Sequence, residues 1–100
     1  MDKRSLHQLL VNRILQGPGE ASAAHRARAF ENAELPEPLA GLVGKVATRS
    51  ADVTDAEFAR AREAGFTDDQ LFELVICAAV GQSTRQYEAG LAALDEAEAG

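Results

Sequence analysis

Apolar residues recur at spacings of three and four along most of the chain, and β-branched residues never alternate with polar ones over a useful length. That period predicts helices and no strands. A first helix is expected from about Ser5 to Gln16, with Leu6, Leu9, Leu10 and Ile14 as an apolar stripe widened by Val11 and Leu15. Gly17-Pro18-Gly19 stops it. A second helix, from near Ser22 to about Asn32, has Phe30 as its one large apolar residue among alanines, so its face packs closely or weakly. Leu35-Pro36-Glu37-Pro38 forms a rigid turn, and Pro38 suits a helix start because its missing N–H costs nothing there. The third helix carries Leu39, Leu42, Val43 and Val46 to about Arg49.

Two further helix starts share one design. Thr54 caps its helix while Glu57 reaches back to close a capping box, and Val53 is placed to staple onto Phe58. Thr67 and Gln70 repeat the box, Phe66 is placed to staple onto Leu71, and Asp68 and Asp69 favour the positive end of the helix dipole. Gly65 ends the short helix between them. The helix that follows is apolar on nearly all sides from Leu71 to Val80, which places it in the middle of a bundle. Beyond Gly81 it turns amphipathic, with Tyr87, Leu91 and Leu94 at helical spacing and Glu88, Asp95, Glu96 and Glu98 outward; its last few residues are expected to fray. The fold class expected is therefore all-α: one domain over residues 1–100, a compact bundle of about five helices with a long buried C-terminal helix.

Length and charge narrow the function classes. A chain of 100 residues leaves no room for separate binding and catalytic modules, and its small core makes association between copies a reasonable expectation. A net charge of −6 repels phosphate backbones, and the scattered basic residues have no aromatic partners for stacking bases, so nucleic acid is not expected as a partner. The Leu71–Val80 run is about half of the roughly 20 residues that cross a bilayer, so no membrane partner is expected. The basic N-terminus is not followed by a signal-peptide pattern, and a lone cysteine fits a reducing compartment; a cytoplasmic setting is expected.

Candidate chemistry is sparse. Cys77 is the strongest nucleophile available, with Glu73 one turn earlier on the same face, yet a neighbouring carboxylate and an apolar setting both disfavour the thiolate. A buried structural cysteine is the favoured reading. His7 and His25 stand in no metal-binding spacing, so no metal is expected; either one approaching Cys77 as a base is left open, with exposed helix histidines the commoner case. The polar stretch Gln82-Ser83-Thr84-Arg85 interrupts an otherwise apolar helix. It reads either as a small pocket where Gln82, Ser83, Thr84 and Arg85 hold an anionic or carbonyl ligand, extended in a carboxylic-acid binder by Tyr87 and His25, or as a satisfied polar contact at a helix crossing or subunit interface. The second is favoured, and Gly81 with its neighbouring alanines would let another helix approach closely. Gly17-Pro18-Gly19-Glu20 lacks the strand and the Lys-Ser/Thr of a phosphate loop, no Gly-x-Ser-x-Gly elbow is present, and no cofactor is expected.

From Val53-Thr54-Asp55-Ala56-Glu57-Phe58 through Gly65-Phe66-Thr67-Asp68-Asp69-Gln70-Leu71 to Ala78-Ala79-Val80 and Arg85, the second half of the chain resembles the carboxymuconolactone decarboxylase and AhpD-like alkylhydroperoxidase superfamily. The resemblance lies in the scaffold: a short helix, a glycine, then a capped long helix ending in a polar-Arg segment. It implies an all-helical, AhpD-like fold and oligomerisation, with a second copy or a related AhpD-like protein as partner. Peroxidase members carry a Cys-x-x-Cys pair with a nearby Glu and His on an upstream helix; this chain has no such pair, and Cys77 maps onto neither cysteine. The expectation is a non-redox helical domain, not clearly an enzyme. The alternatives are a decarboxylase-like enzyme or carboxylic-acid binder and, behind it, a single-cysteine peroxidase.

Overall fold

The computed structural model describes residues 2–99 as an all-helical chain: α1 (Lys3–Gln16), α2 (Ala23–Glu31), α3 (Leu39–Thr48), α4 (Asp55–Glu63) and α5 (Asp68–Ala99), with one 3-10 turn at Ser50–Asp52. No strand occurs among the described residues. The helix starts follow local chemistry. Asp2 accepts from Ser5 N at 2.7 Å and Ser22 Oγ from His25 N at 3.1 Å, each satisfying a backbone N–H the helix itself leaves free. Both capping boxes form: Thr54 with Glu57, and Thr67 with Gln70, whose side-chain oxygen accepts from Thr67 N at 2.9 Å while Thr67 Oγ1 accepts from Gln70 N at 3.1 Å. Gly65 adopts φ +104°, a left-handed geometry that lets the chain leave α4 and re-enter α5 within a few residues.

The first half of α5 is the centre of the bundle, packing most extensively on α2 and next on α3. Leu39, Leu42 and Val43 of α3 meet Leu71, Leu74 and Cys77 of α5 in a fully buried core, with Ala29 and Phe30 of α2 beside them. Small side chains on α2 thus pack closely, because alanine leaves room for a second helix. Val53, Phe58 and Phe66 lie half-buried on the edge of this core.

The second half of α5 leaves the bundle. At 32 residues the helix is roughly 48 Å long at 1.5 Å per residue, and it continues to Ala99 rather than ending early. It stretches the molecule to 53 × 29 × 19 Å, with a radius of gyration of 15.2 Å where a closely packed chain of this length has about 13 Å. Antiparallel α1 accompanies it: Arg4 lies 4.0 Å from Asp95, and His7 stacks on Tyr87 with ring centres 5.1 Å apart.

An amphipathic helix ordinarily turns its apolar stripe to the core. In α1 only one edge of the stripe does so. Val11 is buried and Ile14 and Leu15 are half-buried against the core, whereas Leu6, Leu9 and Leu10 are 63, 52 and 50 % exposed. The α1 stripe is wider than the faces its neighbours offer, and α2 and α5 together cover only the side that carries His7 and Val11.

Candidate functional site

Cys77, Glu73 and Arg26 share one region beside the α1–α2 loop. Glu73 reaches across to that loop: Glu20 N donates to both carboxylate oxygens at 2.9 Å, and Ala21 N donates to Oε2 at 2.7 Å. Arg26, from the first turns of α2, is buried and donates Nη1 to the carbonyls of Ile14 at 3.1 Å and Gly17 at 2.7 Å. The guanidinium thus takes up carbonyls at the exit of α1, where the helix dipole is negative, while the carboxylate takes up N–H groups just ahead of α2, where it is positive. A Cβ on Gly19 would collide with Glu73 and lie 3.6 Å from the Arg26 guanidinium carbon, so the loop passes tightly between them.

Cys77 lies one turn beyond Glu73 and is buried. Burial pushes its thiol pKa up, the Arg26 charge opposes that, and Glu73 adds to it. The result is a neutral thiol, the opposite of an activated nucleophile.

The polar stretch after Val80 sits where α5 crosses the end of α2. Gly81 is buried against Phe30: a Cβ there would lie 2.9 Å from Phe30 Cα and 2.7 Å from its carbonyl carbon. Arg85, one turn on, donates Nη1 to Phe30 O at 2.7 Å and Nη2 to Gln82 Oε1 at 3.0 Å. The carbonyl belongs to the last turn of α2, so Arg85 meets a group that the helix leaves unpaired. Gln82 and Arg85 are joined to each other and to the crossing.

Tyr87 meets His7 rather than His25. His7 Nε2 and Thr84 Oγ1 are hydrogen-bonded at 2.9 Å, and His7 stacks on Tyr87; these two rings line a groove together with Arg4, Glu88 and Asp95. Thr84 is buried, so its hydroxyl fixes the imidazole. His25 stands over Phe66, ring centres 6.5 Å apart, beside an open groove with Arg28 and Glu34. Hydrogen bonds of the two imidazoles to Cys77 do not occur among the described residues.

Sequence reasoning missed the buried Arg26 and the His7–Thr84 pair. Arg26 had a signal: it stands three and four residues before Ala29 and Phe30, hence on the face α2 buries. His7 and Thr84 lie 77 residues apart, and no local pattern links them.

Outside these clusters the surface carries two apolar features. Leu6, Leu9 and Leu10 form a shallow groove on the outer side of α1, edged by Lys3 and Arg13. Phe72 and Leu94 on α5 are 66 and 54 % exposed. No group of three or more His, Cys, Asp or Glu side chains converges as for a metal among the described residues, and none of their helices is long and apolar enough to cross a membrane. No family model matches the chain, and neither a curated protein nor a solved structure matches it.

Proposed function

We propose that this chain is a non-redox, AhpD-like helical domain that acts by association, as a homo-oligomer or as the companion subunit of a dithiol-bearing relative. The observation that carries the proposal is the outer face of α1, where three leucines at helical spacing are each half or more exposed between two cations. A soluble monomer rarely keeps such a contiguous patch without a partner for it. The lone cysteine fits a reducing, cytoplasmic setting.

The alternatives have less support. A carboxylate binder built on Arg85 would have to take the guanidinium away from Phe30 O and Gln82. A peroxidase built on Cys77 would need an exposed thiol with a lowered pKa, and this thiol is buried with a raised one.

Sedimentation velocity from about 1 to 100 µM, on the chain alone and mixed with a dithiol-bearing AhpD-like protein, tests the proposal. Concentration-dependent association or a mixed complex is expected. Monomers throughout both series would end it.

A further inference from the structure

The outward side of α5 carries an apolar stripe without charge, ending at the exposed Phe72 and Leu94. With 3.6 residues per turn, the buried Leu74, Cys77, Gly81 and Thr84 define the inward face of α5. Phe72, Ile76, Ala79, Ser83, Gly90 and Leu94 then fall on the opposite side, with the exposed, uncharged Gln86 among them. Between Phe72 and Leu94 this stripe holds no charged residue, on a chain with a net charge of −6 and 26 % charged residues. An outward face of a solvated helix is normally the charged one.

The stripe is also self-complementary. Ser83 lies midway between Phe72 and Leu94, and midway between Ile76 and Gly90. A two-fold axis at Ser83, running two copies of α5 antiparallel, therefore sets Phe72 against the partner copy's leucine at the same position as Leu94, and Ile76 against the space left by a glycine. Two-fold interfaces pair a surface with itself in this way. Ser83 at the axis permits close approach of the two backbones there, Ala79 leaves room for the partner copy's tyrosine at the same position as Tyr87, and the antiparallel direction opposes the helix dipoles favourably.

Area decides what else takes part. A helix face about 33 Å long and about 10 Å wide, counted on both copies, gives roughly 700 Å², short of the ~1,200 Å² at the lower edge of stable interfaces. The leucines of α1 extend it. Because α1 runs antiparallel beside α5 and turns Val11 and Leu15 toward the bundle, the same helical geometry turns Leu6 and Leu10 to the side that carries Phe72 and Leu94. The two apolar faces then adjoin, with the exposed Gln86 and the stacked His7 and Tyr87 between them.

We infer that this α1–α5 surface is a homodimer interface, two copies packing with α5 antiparallel about Ser83. The inference rests on the association reading above and names its partner and register. Sedimentation velocity at about 100 µM in about 0.3 M salt, which screens repulsion between two acidic chains, is run on the wild type and on Phe72→Glu and Leu94→Glu. Both side chains are exposed in the single chain, so circular dichroism of the two variants should match the wild type. Ser83→Cys and Gly90→Cys, oxidised mildly, read the register, with Cys77 buried in each.

A dimeric wild type, monomeric glutamate variants, and a disulfide-linked dimer from Ser83→Cys but not Gly90→Cys are expected. Linkage through both Ser83→Cys and Gly90→Cys would mean parallel helices, linkage through Gly90→Cys alone would mean an axis displaced toward that residue, and linkage through neither would remove Ser83 from the axis; each overturns the register. An associating wild type indifferent to both glutamates would overturn this surface while the association reading stands. A monomeric wild type would overturn the homodimer and leave the companion-subunit form of that reading to the mixing experiment.

Discussion

Gly81 of α5 lies bare against the backbone of Phe30 at the end of α2, and the carbonyl of that same Phe30 accepts the Arg85 guanidinium at 2.7 Å. One residue is small so that the helices can touch, and the other spans the gap one turn later to satisfy the carbonyl that the contact buries. The polar break in α5 is in this way the fastening of α5 to α2. It leaves the outer side of the helix free for other work.

Gly81→Ala tests that closeness. Its methyl would meet main-chain atoms of Phe30, which have no rotamer to move, so overpacking should cost about 2–3 kcal/mol. For a domain of this size that is a fall of roughly 10 °C or more in Tm. Gly44→Ala is the matched control: it sits inside α3 with nothing within 4 Å of the added carbon, and should stabilise by about 0.5–1 kcal/mol because alanine loses less backbone freedom in a helix. Thermal melts showing the same sign for both would contradict the packing described.

These features were unequally legible in the sequence. Thr54, Glu57, Thr67 and Gln70 announce two helix starts because each box is completed within four residues, and Gly81 among alanines announces a close crossing. The identity of the partner at that crossing, Phe30, depends on how α2 packs and is written in no local pattern. The α1 stripe shows the same limit: its apolar residues are evident, but which edge faces the bundle depends on where α2 and α5 pass. Glu73 was noticed for its nearness to Cys77, whereas its partners, Glu20 and Ala21, lie more than fifty residues away.

Glu73→Ala should be more damaging than its half-buried position suggests. Three N–H···O contacts from Glu20 and Ala21 end on this carboxylate, and hydrogen bonds to a charged group each contribute about 1.5–3 kcal/mol before solvent screening. A total loss of about 2–3 kcal/mol is expected after that screening. Glu73→Gln should fall between, since an amide offers one acceptor oxygen and turns an NH₂ toward backbone donors. Urea titrations rank the three proteins, and a Gln variant as stable as wild type would mean that the negative charge contributes nothing.

Glu57 should give the protein an acid limb. Its carboxylate accepts from Lys45 Nζ at 3.0 Å and from Thr54 N at 3.2 Å, and the Lys45 hydrogen bond is the chief cause that holds its pKa below the ordinary value, against an opposing desolvation. A lowered folded pKa means that the unfolded chain binds the proton first as pH falls. The contribution is therefore complete above about pH 4.3, the ordinary glutamate value, and is lost as pH falls through the lower folded one. Urea midpoints of wild type should drop more steeply from about pH 5 to 3 than those of Glu57→Gln. Lys45→Met, which removes the largest cause, should flatten the limb as well.

Cys77 carries the opposite sign. Burial raises its thiol pKa, so the folded protein holds the proton to higher pH than the unfolded chain, whose thiol titrates near 8.5. Its stabilising contribution is complete below that value and is lost as pH rises through the folded pKa. Two measurements follow from one cause. A thiol reagent such as DTNB should label native Cys77 at about pH 8 far more slowly than the urea-unfolded chain, because only opening of the α3–α5 core exposes a thiolate. Cys77→Ala should lose stability at neutral pH, by about 1 kcal/mol for the small cavity left, yet be spared the alkaline decline of wild type, since alanine has no proton to lose. Cys77→Ser should be worse than Cys77→Ala, because it buries a hydroxyl among Leu74, Ala78 and Val43. Rapid native labelling that titrates below pH 8.5 would instead mean a thiolate stabilised by Arg26, and would return the single-cysteine peroxidase to consideration.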